Sequence, residues 1–184
     1  MKILNIHGYR GSCENSSFAA LSALGAEMIS PQIDYDKQSP DEILLFLNNL
    51  WQKHNCQAIV GTSLGGFYAA LLSIKHHAKT VLINPCLLPF LLLPQIEESQ
   101  NTLLFDYLRL FADISKVDKN QILVIIGEQD EVISTHDFTQ NLLGKSRCIC
   151  VPNGKHGGWT LPLEQIFQQH KEWLFQAAWK LFHA

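Results

Sequence analysis

The sequence has no excess of positive charge and no hydrophobic run long enough to cross a membrane. Its 184 residues include 14 Lys and Arg against 17 Asp and Glu, which gives a formal net charge of −3 at pH 7. This balance excludes a basic field that would attract nucleic acid phosphates or an anionic lipid surface. The longest apolar run, Cys86 to Leu93, contains Pro89 and stops at Pro94, far short of the ~20 residues that a spanning helix needs. We therefore expect neither a nucleic acid partner nor a membrane span.

Cysteine and histidine spacings that are typical of disulfide frameworks or zinc sites are also absent. The five cysteines are odd in number and form no Cys-x-x-Cys pair, and no two of the eight histidines are spaced as His-x-x-x-His. The first residues, Met1 to Asn5, lack the apolar stretch of a signal peptide. We therefore expect a reduced, cytoplasmic protein that uses no metal ion and no other cofactor. His76 and His77 are expected to face solvent at a helix end.

Short apolar segments alternate with helical patterns along the whole chain, and no linker rich in Ser, Pro or Gly interrupts them. This alternation predicts a parallel sheet with helices packed on it. The 47% hydrophobic content is enough to bury one sizeable core. We therefore predict a single α/β domain over residues 1–184, with a mainly parallel six-stranded sheet flanked by helices. The predicted strands are Ile3 to Ile6, Ala26 to Ser30, Ala58 to Gly61, Thr80 to Asn84, Ile122 to Gly127 and Arg147 to Val151.

Helix signals are clearest at two places. A capping box that starts at Ser39 predicts a helix from Pro40 to about His54. Apolar residues at steps of three and four predict one amphipathic helix from Ile166 to Leu181. Residues 85–120 hold three of the seven prolines, so we expect an irregular segment with a helix around Leu103 to Phe111. This segment is the candidate for a small cap or pocket.

Gly61-x-Ser63-x-Gly65 is the most informative motif. It follows an apolar strand that ends at Val60 and precedes a helical stretch that begins at Phe67, which is the setting of a nucleophile elbow. Such a turn raises a serine hydroxyl above the sheet. It also points the backbone N–H of the next residue, Leu64, at the carbonyl where negative charge develops. The motif therefore predicts a nucleophilic Ser63, the alternative being a glycine-rich turn with an idle serine.

A serine hydroxyl needs a base that takes its proton, and an imidazole titrates in the right range. His156 is the best-placed histidine because it lies in a glycine-rich loop after the last predicted strand. His7 is the main rival, but it comes early in the chain. We expect the His7 ring to fix the loop whose Tyr9 or Arg10 N–H would supply a second oxyanion donor.

The third member of such a triad is a carboxylate that orients the imidazole. Asp130 follows a late strand and precedes His156, so it is the preferred candidate. Glu128 and Glu131 lie in the same turn and are the alternatives. In open parallel sheets ligands bind at the carboxyl ends of the strands, and the loops that carry Ser63, Asp130 and His156 all belong there.

With these residues assembled, the chain resembles the small α/β-hydrolase esterases of the YqiA/YcfP-like family. The motifs that carry the resemblance span nearly the whole chain: His7-Gly8-Tyr9, the elbow from Gly61 to Ala69, Asn84-Pro85, the turn from Gly127 to Val132, and Gly154-Lys155-His156. The resemblance implies a single-domain α/β hydrolase that acts on short acyl esters. It also implies Ser63 as nucleophile, Asp130 and His156 as its triad partners, and Leu64 and Tyr9 as oxyanion donors.

The apolar segment after Asn84-Pro85 departs from the family pattern. We expect some of Leu87, Leu88, Phe90, Leu91 and Leu92 to line the acyl side of a small pocket that prefers short to medium acyl chains. Leu87, Leu88 and Phe90 are the preferred candidates. Core packing or a dimer contact are the alternatives for this segment. The expected partner is a small-molecule acyl ester, bound by a monomer or homodimer. A thioesterase would use the same residues, and a non-catalytic binding module on a hydrolase fold is the alternative of a different class.

Overall fold

The computed structural model describes residues 1–179, and a sheet of six strands lies at its centre. The strands are β1 (Lys2–Ile6), β2 (Glu27–Ile29), β3 (Ala58–Thr62), β4 (Lys79–Ile83), β5 (Ile122–Gly127) and β6 (Cys148–Val151). They lie in the order β2-β1-β3-β4-β5-β6, and every neighbouring pair is parallel. This confirms the predicted sheet, because each strand begins and ends within one residue of its expected bounds.

Helices cover both faces of this sheet and complete a single α/β domain. They are α1 (Ser16–Ala23), α2 (Pro40–His54), α3 (Leu64–His76), α4 (Pro89–Ile96), α5 (Leu104–Phe111), α6 (His136–Leu143), α7 (Leu163–Gln169) and α8 (Lys171–Trp179). Side chains of α1, α7 and α8 build the core on one face, and those of α2 to α6 build the core on the other. Every helix within residues 1–179 is too short or too polar to cross a lipid bilayer.

Successive strand residues contribute to the two cores in turn. On β5, Ile122, Val124 and Ile126 pack beneath the α2 and α3 face, whereas Leu123 and Ile125 pack beneath α1, α7 and α8. All five are buried. The strand therefore reads as a continuous apolar run, because a parallel sheet covered on both faces has no solvent-facing side.

The predicted capping box at the start of α2 is present. Ser39 Oγ accepts a hydrogen bond from the backbone N–H of Glu42, and the Glu42 carboxylate accepts one from the N–H of Ser39. Pro40 occupies the first turn, where its missing N–H leaves no acceptor unpaired. These contacts fix where the helix begins.

The C-terminal region contains two helices where the sequence predicts one. The chain bends at His170 (φ −102°, ψ 12°), which separates α7 from α8. α7 packs against α1, whereas α8 packs against β3 and β4, so the chain changes direction between its two packing partners. The prediction of one continuous helix is therefore wrong at His170, and the predicted terminal position, Leu181, lies outside the described residues.

The segment between β4 and β5 contains a helix, α4, that the sequence did not predict. Pro89 stands in its first turn and Pro94 lies inside it. A proline in the first turn is well tolerated, whereas Pro94 removes one intrahelical donor. A short 3-10 turn, Glu98–Leu103, links α4 to α5, which begins within one residue of the helix predicted here. α4 is the element that brings this segment to the functional site.

Candidate active site

Ser63 lies at the turn between β3 and α3 in a backbone conformation that few non-glycine residues adopt. Its φ is 53° and its ψ is −122°, so it carries local strain. Its N–H donates to the carbonyl oxygen of Ile83 (2.9 Å). Its own carbonyl oxygen accepts hydrogen bonds from the N–H groups of Gly66 (2.9 Å) and Cys86 (3.0 Å). The strained turn is therefore held from both sides, by the end of β4 and by the first turn of α3.

Glycine is required on both sides of Ser63 because the backbone segments approach closely. A Cβ atom at Gly61 would collide with the carbonyl oxygen of Gly65, and a Cβ atom at Gly65 would collide with the carbonyl oxygen of Ile6. The first turn of α3 thus packs directly on β1 and β3. This close packing accounts for the spacing Gly61-x-Ser63-x-Gly65.

A chain of hydrogen bonds links Ser63, His156 and Asp130. Ser63 Oγ lies 3.1 Å from His156 Nε2, and both carboxylate oxygens of Asp130 lie 3.0 Å from His156 Nδ1. Because a carboxylate only accepts, Nδ1 carries the proton and Nε2 accepts from the Ser63 hydroxyl. The His156 side chain is 21% exposed and that of Asp130 is 1% exposed. The structure thus brings together the three residues that the sequence predicts as catalytic.

The two glutamates of the same turn are placed differently. Glu128 is exposed. The Glu131 carboxylate accepts a hydrogen bond from the backbone N–H of His156 (3.2 Å) and not from its ring. Asp130 is therefore the acid of this turn whose carboxylate faces the His156 imidazole.

The Asp130 carboxylate is stabilised in its ionised form. Burial by itself would raise its pKa. Hydrogen bonds from the rings of His136 and His156 oppose that effect, as do those from the N–H groups of Ile133 (3.0 Å) and Val132 (2.9 Å). Together they lower the pKa of Asp130 far below its ordinary value. The acid is therefore charged throughout the range in which an imidazole titrates.

His136 is a residue of this site to which no sequence pattern assigned a role. Its Nε2 lies 2.8 Å from Asp130 Oδ2, so the carboxylate receives a second imidazole. His136 is the first residue of α6, and only the packing of that helix brings the ring to Asp130. In the sequence, the only indication of such a role is that residue 136 is a histidine, and the chain has seven other histidines.

Asn84 fixes the position of the His156 loop. Its side chain is fully buried, and Nδ2 donates to the carbonyl oxygens of Lys155 (2.9 Å) and His156 (3.1 Å). Its Oδ1 accepts from the N–H of Gly127 (2.8 Å). The sequence placed Asn84 in a family motif without a role, although a polar residue at the end of an apolar strand was the available signal.

His7 lies behind the loop that follows β1. Its Nδ1–H donates to the carbonyl oxygen of Gly8 (2.7 Å), and its Nε2 accepts from the N–H of Ile33 (2.9 Å). The residue is 1% exposed, and burial lowers the pKa of His7 against the opposing effect of the Gly8 bond. Because both ring nitrogens are occupied, the ring holds this loop and is not available as a base for Ser63.

The same loop lies directly against Ser63. A Cβ atom at Gly8 would come within 2.8 Å of Ser63 Cβ. The Tyr9 hydroxyl donates to Asp36 (2.5 Å), and burial together with this bond raises the pKa of Tyr9 to about 12. Leu64 opens α3, so its N–H has no acceptor within the helix. Tyr9 and Leu64 line the same cavity as Ser63.

A cavity of about 560 Å³ opens above Ser63 and His156. Its apolar wall is formed by α4, which contributes Leu92, Leu93 and Ile96. Arg10 and Glu97 form an ion pair (2.6 Å) that joins the loop after β1 to the end of α4. The site is thus enclosed by this loop, by α4 and by the turn that carries Asp130.

The three residues that the sequence predicts for the acyl pocket do not line this cavity. Leu87 is 1% exposed and belongs to the core beneath α3. Phe90 packs against Phe111 with ring centroids 5.3 Å apart, and Leu88 is the residue that precedes α4. Because Pro89 starts a helix here, Phe90 is directed to the core while the end of α4 faces the cavity. Leu87, Leu88 and Phe90 thus lie away from this cavity, whereas Leu92, a residue of the same predicted segment, lines it together with Ile96.

A second groove, of about 880 Å³, lies between α1 and α7 beside Trp159. Glu164 is the one titratable group among the described residues that line this groove. The groove therefore offers no nucleophile with an imidazole base. Within residues 1–179, no three His, Cys, Asp or Glu side chains lie close enough together to hold a metal ion.

The all-parallel sheet, the helices on both faces and the strained serine after β3 define an α/β-hydrolase fold. MGS-MChE2, an α/β hydrolase from the sediment metagenome of the Mar Chica lagoon, is 16% identical with a TM-score of 0.63, over 96% of this chain and 90% of that one. A structure reported for LipS and LipT, two metagenome-derived lipolytic enzymes, is 12% identical with a TM-score of 0.67, over 95% and 93%. The S-formylglutathione hydrolase of Staphylococcus aureus is 16% identical with a TM-score of 0.65, over 94% and 83%.

Residues 2–158 match the family described as "Uncharacterised protein family (UPF0227)", and the chain belongs to this family. This confirms the family resemblance that the motifs indicated. A comparison with curated protein sequences finds no match. At identities this low the solved structures share the fold, so the activity has to follow from the site itself.

Proposed function

We propose that this protein is a serine esterase that hydrolyses short to medium acyl esters through an acyl-enzyme intermediate. The observation that carries the proposal is the 3.1 Å contact between Ser63 Oγ and His156 Nε2 at the base of an open cavity. A serine hydroxyl is a weak nucleophile until a base accepts its proton. In this site the base is oriented in turn by a buried carboxylate, Asp130, which supports a complete Ser-His-Asp triad.

In the acylation step, His156 Nε2 takes the hydroxyl proton as Ser63 Oγ bonds to the ester carbonyl carbon, and the carbonyl π electrons move to its oxygen. The resulting imidazolium is stabilised by Asp130. When the tetrahedral intermediate collapses, the bond to the alcohol oxygen breaks and the imidazolium protonates that oxygen. In deacylation His156 takes a proton from water, the water oxygen bonds to the acyl carbon, and Ser63 leaves with the proton.

The negative charge on the tetrahedral oxygen requires hydrogen-bond donors that are already in place. We assign this role to the backbone N–H groups of Leu64 and Tyr9. The first begins α3, where the helix dipole also favours negative charge. The second belongs to the loop that His7 and Asp36 hold against Ser63. Both donors are therefore anchored by contacts that do not depend on the substrate.

The shape of the cavity supports a small acyl substrate. Its volume of about 560 Å³ lies in the range typical of small-molecule sites. Three of the four α4 residues that line the cavity are apolar, the fourth being Gln95, and the nearby charge of Arg10 is already paired with Glu97. A neutral acyl chain thus fits this wall better than an anionic one. In this proposal α4 acts as a small cap over the acyl side of the site.

Covalent labelling with a fluorophosphonate tests the nucleophile, and a panel of acyl esters and thioesters of graded length tests the reaction. The wild type is expected to be labelled at Ser63 and to hydrolyse the shorter esters fastest, whereas Ser63→Ala should do neither. Faster cleavage of thioesters than of matched esters would make the protein a thioesterase with the same triad. A folded wild-type protein that is neither labelled nor active would instead be a binding module on a hydrolase fold.

A further inference from the structure

His136 places a second imidazole on the carboxylate of Asp130. Its Nε2 lies 2.8 Å from Asp130 Oδ2, which is shorter than either contact of His156 with this carboxylate (3.0 Å). The side chains of His136 and Asp130 are 13% and 1% exposed. The contact is therefore largely shielded from solvent. Hydrogen bonds to charged groups are stronger in such a shielded place than in water.

The chemistry of the partners determines which nitrogen of His136 carries the proton. Asp130 Oδ2 is a carboxylate oxygen and can only accept, so the proton lies on His136 Nε2. His136 Nδ1 is buried and has no hydrogen-bond partner among the described residues.

The two oxygens of Asp130 are anchored from different directions. Oδ1 accepts from the N–H groups of Val132 and Ile133. Oδ2 accepts from His136, and the His156 ring is shared between both oxygens. Without His136, one end of the carboxylate would be held only by the catalytic base that it is meant to orient.

We propose that His136 is a positioning residue that fixes the plane of the Asp130 carboxylate. The negative charge of that carboxylate is then divided between hydrogen bonds to His136 and to His156. His136 acts through Asp130 and does not contact the substrate. The inference rests on the proposed function, since it assigns a further part of the same triad. Two other titratable groups near the carboxylate are Cys86 and Glu131. Burial, together with the charge of Asp130, raises the pKa of Cys86 to about 12, and Glu131 accepts a hydrogen bond from the His156 backbone.

Replacement of His136 tests this role. His136→Leu removes the donor, and His136→Asn keeps a polar side chain that is too short to reach Oδ2. His136→Gln can present an amide N–H close to the position of Nε2. We expect kcat to fall about 10- to 100-fold in the Leu and Asn variants and to recover in the Gln variant. The Asp130 charge would then act on His156 alone and favour the imidazolium, so the acidic limb of kcat/KM should move to higher pH.

A structural readout and a control separate this role from packing. The downfield proton NMR signal of the His156 Nδ1–H should shift in the Leu and Asn variants and return in the Gln variant. His77→Asn, an exposed histidine at the far end of α3 from Ser63, should change neither the signal nor the pH profile. Unchanged signals and profiles in the Leu and Asn variants overturn the inference, as does a Gln variant as impaired as Leu. A wild type that no fluorophosphonate labels overturns the proposed function, while the NMR signal still decides the role of His136.

Discussion

The side-chain amide of Asn84 donates to the backbone carbonyl oxygen of His156 across 3.1 Å, so the residue after β4 holds the loop that carries the proposed base. The same side chain binds the N–H of Gly127 at the end of β5. One buried side chain therefore ties the base loop to the strand end that precedes Asp130. The relative position of the proposed acid and base therefore depends on Asn84 as well as on their direct contact with each other.

Removal of the Asn84 side chain should lower kcat as well as the free energy of unfolding, and the loss of kcat should not be explained by the loss of stability. Asn84 has a φ of 42°, so Asn84→Gly removes the amide without adding backbone strain. We expect a loss of about 3 kcal/mol of unfolding free energy, roughly 1 kcal/mol for each of its hydrogen bonds, and a drop in kcat of about 10- to 100-fold because the imidazole is misplaced. Urea unfolding and steady-state kinetics measure the two effects.

Asn48→Ala is the matched control for this prediction. Asn48 is also buried but bonds to His76, away from the cavity. It should lower stability by about 1 kcal/mol and leave kcat close to wild type. Equal kinetic losses in the two variants would mean that Asn84 acts through stability alone.

The proposed triad predicts non-additive losses. Ser63→Ala and His156→Ala should each lower kcat by about 10³- to 10⁶-fold, and the double variant should lose little more than either single variant. The physical reason is that each residue works only through the 3.1 Å contact with the other. Single-turnover kinetics on a short acyl ester measure the three values. Multiplicative losses would contradict a shared mechanism.

The identity of the acid is tested by isosteric amides. Asp130→Asn should keep the fold yet lower kcat by up to about 10⁴-fold, because an amide NH₂ would face one of the imidazole donors and favour the wrong tautomer of His156. Glu131→Gln still offers an oxygen to the His156 N–H, and Glu128 is exposed, so their amide variants should lose less than about tenfold. If Glu131→Gln were the most damaging change, the assignment of the acid would move to that residue.

Chain-length preference should respond to α4 and not to Phe90. Ile96 lines the cavity and is 42% exposed, so Ile96→Ala should cost less than about 1 kcal/mol while shifting preference toward longer acyl chains. Phe90→Ala removes a half-buried ring that packs on Phe111. It should cost roughly 2 kcal/mol and leave the preference unchanged. The ester panel together with urea unfolding distinguishes the two variants, and the reverse pattern would return Phe90 to the acyl pocket.

Stability should fall on mild acidification because His7 is buried in its neutral form. Burial lowers the pKa of His7 below its ordinary value of 6.5, so below about 6.5 the unfolded chain binds a proton that the folded chain resists. The stabilisation is present above that pH and is lost as the pH falls toward the folded-state pKa. The pKa of Asp130 is also lowered, but its contribution is lost only at the more acidic pH where a carboxylate titrates.

A comparison with His7→Gln isolates this contribution. The glutamine oxygen can accept from the N–H of Ile33 but does not titrate in this range. The unfolding free energy should therefore drop less between pH 7.5 and 5.5 in the variant than in the wild type. The pKa of His76 is lowered as well, by burial and by Lys75, and it contributes equally to both proteins. Parallel pH dependences would mean that His7 is not the titrating group.

The parts of the molecule that were predictable from the sequence are those encoded locally. The six strands follow from short apolar segments, and the elbow at Ser63 follows from two glycines at fixed spacing between a strand and a helix. The capping box at Ser39 is likewise a short local motif, and it marks the start of α2. Each of these signals lies within a few residues of the structure that it specifies.

The remaining parts depend on contacts between distant segments. The ring of His136 reaches Asp130 only through the placement of α6, and the bend at His170 exists because α7 and α8 have different packing partners. Because α4 contains two prolines, no helix was predicted there. The orientation of this helix places Ile96, and not Phe90, at the cavity. No short window of sequence contains that information.

The strained backbone of Ser63 lowers the stability of the fold at the residue on which the proposed activity depends. A φ of 53° and a ψ of −122° are readily adopted by glycine but cost other residues about 1–3 kcal/mol. Ser63→Gly should therefore raise thermal stability while removing the proposed nucleophile. A laboratory selection for heat resistance alone would therefore favour loss of the proposed nucleophile, so a programme to stabilise this protein has to select for the proposed esterase activity at the same time.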